Sequence, residues 1–414
     1  MGPNTTPSVS MPWHAVGRAT ARLRRRRMTT TRLVLESLRW LTGVWLVWRV
    51  ARCRPALLDP VPLAAATSVI IPARDEEAML PGLLASLAAQ EPPPAQVVVV
   101  DDASVDATAE VARRGGATVV ATGSLPPGWT GKTWACWTGA GAAAEPVLAF
   151  LDADTELEPG GLARILDEHD RRGGLVSVAP DHVTVRPYER LSAFFNVVAM
   201  MGIDAFDPLR RRRAPRGAFG PCLVTTRADY LASGGHEAVR AEVVEDVALA
   251  RRYTASGRPV TCLGGRGTIR FRMYPAGPAQ LVEGWTKNFA GGARAARPVT
   301  FLLISVWLSG CISAPWYLGT AGFDRGALSP AAAGGLYVAY VVQVSWMLGR
   351  IGRFGRITAP LYPVVLAFFL VVFARSIVLT HVRGEVTWRG RSIATRSPSG
   401  PKAADTGADP RGAP

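Results

Sequence analysis

Two carboxylates separated by a single residue, Asp152-Ala153-Asp154, close the apolar run Val147-Leu148-Ala149-Phe150-Leu151. Side chains two apart on a strand point to the same face, so both carboxylates converge just past the strand end. Hard oxygen donors placed in this way suit Mg²⁺ or Mn²⁺, ions that are commonly shared with substrate phosphates. A plain turn competes with that reading. Asp favours strand ends and caps, and Thr155 to Gly160 reads as the start of a helix.

Acids recur behind other apolar runs. Ser68–Ile71 is followed by Pro72-Ala73-Arg74-Asp75-Glu76-Glu77, and Gln96–Val100 by Asp101-Asp102-Ala103-Ser104-Val105-Asp106. Gly131-Lys132-Thr133 precedes Asp152, and Glu245-Asp246 opens a helix expected over Val247 to Thr254. Ala117–Ala121, Val147–Leu151 and Leu175–Val178 continue the pattern of short apolar runs with helical stretches between them. Runs of this type are strands buried on both faces of a mostly parallel sheet. The ligand site of such a sheet lies beyond the carboxyl ends of its strands, where Asp75, Asp102, Asp152 and Asp154 all fall. Each cluster also has an ordinary explanation. Asp102 and Asp106 suit turns and caps, Lys132 a solvated surface, and Glu245-Asp246 a helix N-terminus, where negative charge gains about 0.3–1 kcal/mol. Those explanations leave the clustering at strand ends unaccounted for. Further strands are expected at Phe219–Thr226, around Val260-Thr261-Cys262 and at Thr268–Phe271, ahead of a helix holding Trp285.

Bulk composition narrows the class. The 414 residues carry a net charge of +15 and are 48% hydrophobic. Residues 1–56 hold eleven Arg against one acid, Glu36, so much of the excess is an arm beside an apolar segment, the pattern of a membrane flank. With no zinc spacing and no aromatic RNA-binding motif, nucleic acid is not an expected partner. The five cysteines are scattered, as expected of reduced, buried thiols in a cytosolic domain.

The expected organisation is a basic disordered arm over 1–32, then a Trp-rich apolar helix over 33–50 that spans poorly or lies in the interface. An α/β domain follows over 67–290, then membrane helices over 299–380 and a basic tail over 381–414. Val299–Thr320, Ala327–Leu348 and Ile357–Thr380 read as three spans; 22 residues of helix reach ~33 Å, enough for the hydrocarbon core.

Taken in order, the four acidic and lysine clusters resemble the family 2 inverting glycosyltransferases of the GT-A fold, over about residues 67–290. The resemblance implies that Pro72, Arg74 and Glu76 line a nucleotide pocket, that Asp102 hydrogen-bonds the base, and that Lys132 lies near the base or diphosphate. It implies that Asp152 and Asp154 hold the ribose and a divalent metal, with Asp246 the general base and Glu245 beside it. The donor would be a nucleotide sugar, UDP-linked in the favoured case. Leu125–Lys132, Arg272-Met273-Tyr274, Gly284-Trp285-Thr286-Lys287-Asn288 and Trp388-Arg389-Gly390-Arg391 are similar to the subgroup of hopanoid-associated and carotenoid-acid (diaponeurosporenoate-type) glycosyltransferases. That implies a lipid-soluble acceptor near Trp285 and Lys287, and a multi-pass membrane protein whose catalytic domain faces the cytosol. The Gln-x-x-Arg-Trp of polysaccharide synthases is replaced by Glu283-Gly284-Trp285-Thr286-Lys287, so single-sugar transfer is expected. Transfer to a polyprenyl phosphate and a catalytically silent membrane scaffold are the alternatives.

Overall fold

The computed structural model describes residues 13–57, 59–209, 213–292, 296–321, 328–380, 385–388 and 391–394. Its main sheet draws on β1 (Thr67–Ala73), β2 (Gln96–Asp101), β3 (Thr118–Ala121) and β4 (Val147–Leu151). After the short β5 (Thr155–Leu157) come β6 (Leu175–Ala179), β7 (Asp181–Val183), β8 (Cys222–Thr226) and β9 (Val260–Gly264). The order is β3-β2-β1-β4-β8-β6-β9. β8 alone runs antiparallel to its neighbours β4 and β6, while β1–β2, β2–β3, β1–β4 and β6–β9 pair in parallel.

Alternation along β1 shows why the strand forms. Val69 and Ile71 enter one core and Ile70 the other, all fully buried. A β-branched run satisfies two apolar faces at once. Helix α1 (Trp13–Leu46) and the short α2 (Pro60–Ala65) precede the sheet. α3 (Leu80–Ala88) and α4 (Thr108–Arg114) follow β1 and β2, and α5 (Gly131–Ala142) and α6 (Gly161–Arg172) follow β3 and β5. A Cβ at Gly139 would stand 2.5 Å from Ile70 Cγ2 and 2.8 Å from Val100 Cγ2. Only glycine there lets α5, which carries Lys132, lie this close to the sheet.

The remaining helices are α7 (Ala193–Gly202), α8 (Arg227–Ala232), α9 (Glu245–Ala255), α10 (Pro278–Gly292), α11 (Pro298–Thr320), α12 (Pro330–Ile351) and α13 (Tyr362–Val378). A third core joins α7 and α10 to α11, α12 and α13. α11 and α12 are long and apolar enough to cross a bilayer. The third expected span is shorter. α13 has 17 residues, ~26 Å of helix, because residues before Tyr362 form a turn rather than a helix.

Other expectations also change. Residues 13–32, expected to be disordered, are helical as the first part of α1, in keeping with the helix propensity of Ala and Arg. The 33–46 stretch packs on α11 and α12. Trp40 Nε1 donates to the Ala339 carbonyl at 3.0 Å, and Gln343 Nε2 to the Trp40 carbonyl at 2.6 Å. Glu36, 1% exposed, accepts from Arg39 at 2.6 Å and from Ser313 Oγ at 2.8 Å. Its charge is thus satisfied inside an apolar bundle. Thr155–Leu157 is β5 rather than a helix start, pairing antiparallel with β10 (Ile269–Phe271).

That second sheet, in the order β11-β7-β10-β5, takes its edge strand β11 (Gly352–Arg353) from the loop after α12. A short ribbon of β12 (Glu385–Trp388) and β13 (Arg391–Ala394) follows, and the rest of the expected tail lies outside the described residues. β11 sews the apolar helices to the α/β domain. Arg353 Nε donates to Asp181 Oδ2 at 2.9 Å, and its Nη2 to Glu158 Oε1 at 2.6 Å. The Asp181 side chain is fully buried, so Arg353→Ala strands a buried carboxylate. Arg353 itself is half exposed, which tempers the cost to about 1–3 kcal/mol. Thermal unfolding of the detergent-solubilised chain should drop by several degrees, and Arg353→Lys should recover part of that. An unchanged midpoint for Arg353→Ala would remove β11 as a coupling element.

Candidate active site

The loops after β1 and β2 are locked together by side-chain-to-backbone hydrogen bonds. The Asp75 N–H donates to Ser104 Oγ at 3.0 Å and the Val105 N–H returns to Asp75 Oδ1 at 2.9 Å. The Glu76 N–H donates to Thr108 Oγ1 at 2.8 Å, and the Ala107 N–H to Glu77 Oε2 at 2.9 Å. Asp75 and Ala103 adopt positive φ, 52° and 55°, sparsely populated for residues with a Cβ and sustained here by these bonds. The result is a rigid rim holding Arg74 and Asp102. Arg74 Nη1 lies 3.8 Å from Asp102 Oδ2, and Asp102 is 6% exposed. Pro72 and Glu76 stand half-buried on the same rim.

Register places the second half. β4 pairs with β1 from Thr67↔Val147 to Ile70↔Phe150, so Asp152 emerges beside the end of β1. β2 lies on the other side of β1, which sets Asp102 two strand spacings, roughly 10 Å, to the side of Asp152 and further along the strand direction. Ala153 is buried, and Asp152 and Asp154 are half-buried. Both lie past the end of β4, where the chain turns into β5. Asp152 and Asp154 carry oxygen atoms of the kind a hard divalent ion takes. No group of three His, Cys, Asp or Glu that could hold a metal occurs among the described residues. A hard cation here would complete its shell from phosphate oxygens and water, as Mg²⁺ commonly does.

Lys132 occupies the centre. Thr130 caps α5 through a reciprocal capping box with Thr133, and its N–H donates to the Arg240 carbonyl at 2.8 Å. The first turn is thereby fixed, and Lys132 Nζ reaches Asp152 Oδ1 at 2.8 Å, Asp152 Oδ2 at 3.1 Å and Glu245 Oε1 at 3.0 Å. Burial works against the ammonium, but Asp152 and Glu245 outweigh it and raise its pKa well above the ordinary value. Burial likewise pushes Glu245 up, and Lys132 followed by Lys287 overcomes this and holds it below the usual range. Lys287 therefore acts on the site through its charge.

Asp246, next to Glu245 in the first turn of α9, accepts from the Gly220 N–H at 2.7 Å (Oδ2) and from the Val247 N–H at 2.8 Å (Oδ1). Burial, and then the adjacent Glu245 carboxylate, push its pKa up to about 7. A carboxyl poised near neutrality suits proton transfer. Gly220 lies in a loop where a strand starting at Phe219 was expected. Pro221 has no N–H to give a sheet, and the strand starts at Cys222. A Cβ at Gly220 would stand 3.1 Å from Asp246 Oδ2. The Gly-Pro pair was the sequence signal for this loop.

Asp246 borders a cavity of about 150 Å³ whose apolar lining includes Met200, Phe219, Phe271, Met273 and Trp285. Asp181, Asn196, Asn288, Arg266 and Arg350 also line it. Sequence reasoning did not single out Asp181, Asn196 or Arg266, because they come from separate elements with no local motif. Trp285 is not an open stacking platform. Its ring is stacked on Phe195 at 4.8 Å, its Nε1 donates to Ser192 Oγ at 3.0 Å, and it is 4% exposed. It forms part of the cavity wall. The arrangement thus brings together Lys132, Asp152, Glu245 and Asp246, sets Arg74 and Asp102 across β1, and leaves Trp285 in the core.

Similarity to known proteins identifies the family. Residues 68–216 match the family model described as glycosyl transferase family 2. The 4,4'-diaponeurosporenoate glycosyltransferase of Staphylococcus aureus is 37% identical over 331 residues, which covers 79% of this chain and 88% of that protein. The protein of the same name from Staphylococcus haemolyticus is 36% identical over 334 residues, or 80% and 88%. Among solved structures, a mannosyltransferase from Pyrobaculum calidifontis in complex with GDP-mannose and Mn²⁺ aligns with a TM-score of 0.49 and 18% identity, covering 85% of this chain and 97% of that one. The chain belongs to glycosyl transferase family 2, with an α/β catalytic domain of the GT-A type.

Proposed function

We propose that this chain transfers one sugar, with inversion, from a nucleotide donor to a lipid acceptor of the carotenoid-acid or hopanoid kind. The supporting observation is the Lys132 bridge. It joins Asp152, at the strand end suited to a diphosphate, to Glu245, whose neighbour Asp246 borders an apolar cavity. Charge chemistry and apolar chemistry meet at one carboxylate.

On the donor side, Pro72, Arg74 and Glu76 line the nucleotide pocket and Asp102 binds the base, with UDP the favoured carrier. Asp154 and Asp152 hold Mg²⁺ or Mn²⁺, which when bound neutralises charge developing on the leaving diphosphate. Lys132 supplies a fixed cation beside the same group. On the acceptor side, Trp285 and Lys287 shape the approach. Asp246 has lone pairs left after its two backbone bonds and takes the proton of an attacking hydroxyl. Glu245 keeps Lys132 in place. α11 and α12 hold the domain at the membrane, with the catalytic face toward the cytosol, where nucleotide sugars are found. Protease added outside intact cells should spare residues 67–290, and cleavage there would reverse the topology.

The names of the Staphylococcus relatives specify a carboxylate acceptor, which favours a second reading of Asp246. A carboxylate nucleophile is already ionised, so no base is needed. Asp246 in its protonated form would then donate a hydrogen bond to it. The two readings have opposite pH signatures. As a base, Asp246 must be ionised, so kcat/KM rises as pH passes through about 7. As a donor it must be protonated, so kcat/KM falls across the same range. Asp246→Asn separates them again. With a hydroxyl acceptor, donor affinity should stay within about two-fold while turnover falls ~10²–10⁴-fold; with a carboxylate acceptor much of the turnover should survive. A flat pH profile together with full Asp246→Asn activity would exclude both.

Asp154→Ala should abolish the chelator-sensitive part of nucleotide-sugar binding measured by calorimetry. Binding by the wild type that ignores chelator would remove the metal role.

A further inference from the structure

The cavity beside Asp246 has a second chemical feature that sugar transfer does not use. Three guanidinium groups from separate segments gather where α12 ends. Arg350 lies in the last turn of α12, its Cζ 4.3 Å from the centre of the Trp346 ring. Arg266 Nη1 donates to the carbonyl of Gly349 in the same turn. Arg52 is brought in by a backbone bridge to Gly264, whose N–H donates to the Ala51 carbonyl at 2.7 Å. Arg52 lies close enough to Arg350 for the two charges to repel. Gly264, Arg266 and Arg350 all line the cavity that Asp246 borders.

None of these three arginines has a carboxylate within ion-pair distance among the described residues. Arg353, three positions beyond Arg350, shows the contrast, neutralised between Asp181 and Glu158. Helix capping accounts for part of the cluster. A basic side chain near a helix C-terminus is favourable, and Arg266 satisfies an orphan carbonyl. It does not account for Arg52, which adds a like charge beside Arg350. An unneutralised cluster of like charge lacks an anion. Guanidinium groups match phosphate oxygens in planar, bidentate fashion, and arginines at the end of an apolar helix meet the headgroup layer.

We propose that Arg52, Arg266 and Arg350 bind the phosphate of an anionic membrane lipid at the edge of the acceptor cavity. This rests on the reading that α12 crosses the membrane, but not on the identity of the sugar or the role of Asp246. The lipid phosphate seats the catalytic domain against the bilayer and leaves its acyl chains along the exposed Val338 and Val342 of α12. The cavity then opens directly to the leaflet from which an apolar acceptor is drawn.

The test is native mass spectrometry of the full chain in detergent, with no donor or acceptor present, counting phosphatidylglycerol and phosphatidylcholine adducts. The wild type should retain phosphatidylglycerol in preference to phosphatidylcholine. Arg52→Gln, a change at an exposed side chain, should lower that retention by about five-fold with an unchanged unfolding temperature. The combined Arg52→Gln, Arg266→Gln, Arg350→Gln variant should lose the preference. Equal retention of the two lipids, or an unaltered preference in both variants, overturns the site. Displacement of phosphatidylglycerol by excess inorganic phosphate would reassign it to free phosphate and overturn the lipid assignment. Because neither substrate is present, such failure leaves the transferase reading intact.

Discussion

One ammonium group holds the site together. Lys132 sits between Asp152, delivered by β4, and Glu245, delivered by the first turn of α9. Without it, two carboxylates from separate elements would face each other across a partly buried space, and their repulsion would push α9 away from the end of β4. Much of the surrounding structure serves to put Lys132 there. The Thr130 capping box starts α5 at the right residue, the Arg240 carbonyl anchors that turn, and Gly139 lets the helix sit close on Ile70 and Val100. The same bridge separates the behaviour of two adjacent acids. Glu245 is charge-compensated and stays ionised, while Asp246 lies beside that ionised group and is pushed toward neutrality. Adjacent carboxyls with divergent affinities for the proton are a common device for assigning acid–base roles.

A second constraint links this site to the apolar helices. Contact through loose packing would let the α/β domain swing relative to α11 and α12. Here the loop after α12 becomes a strand of the second sheet, and Arg353 is held by Asp181 and Glu158. α1 is tied to the same helices by hydrogen bonds from Trp40 and Gln343 and by the buried Glu36. The cavity wall draws on both parts, with Asp246 and Phe271 from the α/β domain and Arg350 and Ile351 from the end of α12. An acceptor that is insoluble in water needs such a shared wall.

The strand ends were legible in sequence because their signals are local. A β-branched run followed by an acid describes a buried strand and the point where it stops, and that rule set Asp102 and Asp152 just past the ends of β2 and β4, where the fold has them. What escaped depends on distant partners. Thr155–Leu157 has the polar start of a helix but is claimed by β10. Gly352-Arg353 is too short to read as a strand without β7 beside it. Trp285 was expected beside the acceptor, and only the fold shows Phe195 covering its face. The 357–380 stretch reads as a span by composition, yet its first residues turn and the helix comes up short. Asp246 was legible as an acid at a helix start, whereas its contact with Gly220 and the cavity beside it needed three dimensions.

The central claim is that the carboxylates around Lys132 transfer sugar from a nucleotide to a lipid. Membranes carrying the chain, supplied with a panel of radiolabelled nucleotide sugars, can be extracted with organic solvent and the label counted in the lipid fraction. Label should enter lipid from one of these donors with the wild type and be absent with the combined Asp152→Asn, Asp154→Asn variant. Lipid labelling that persists in that variant, or label that never leaves the aqueous phase with the wild type, would contradict the account.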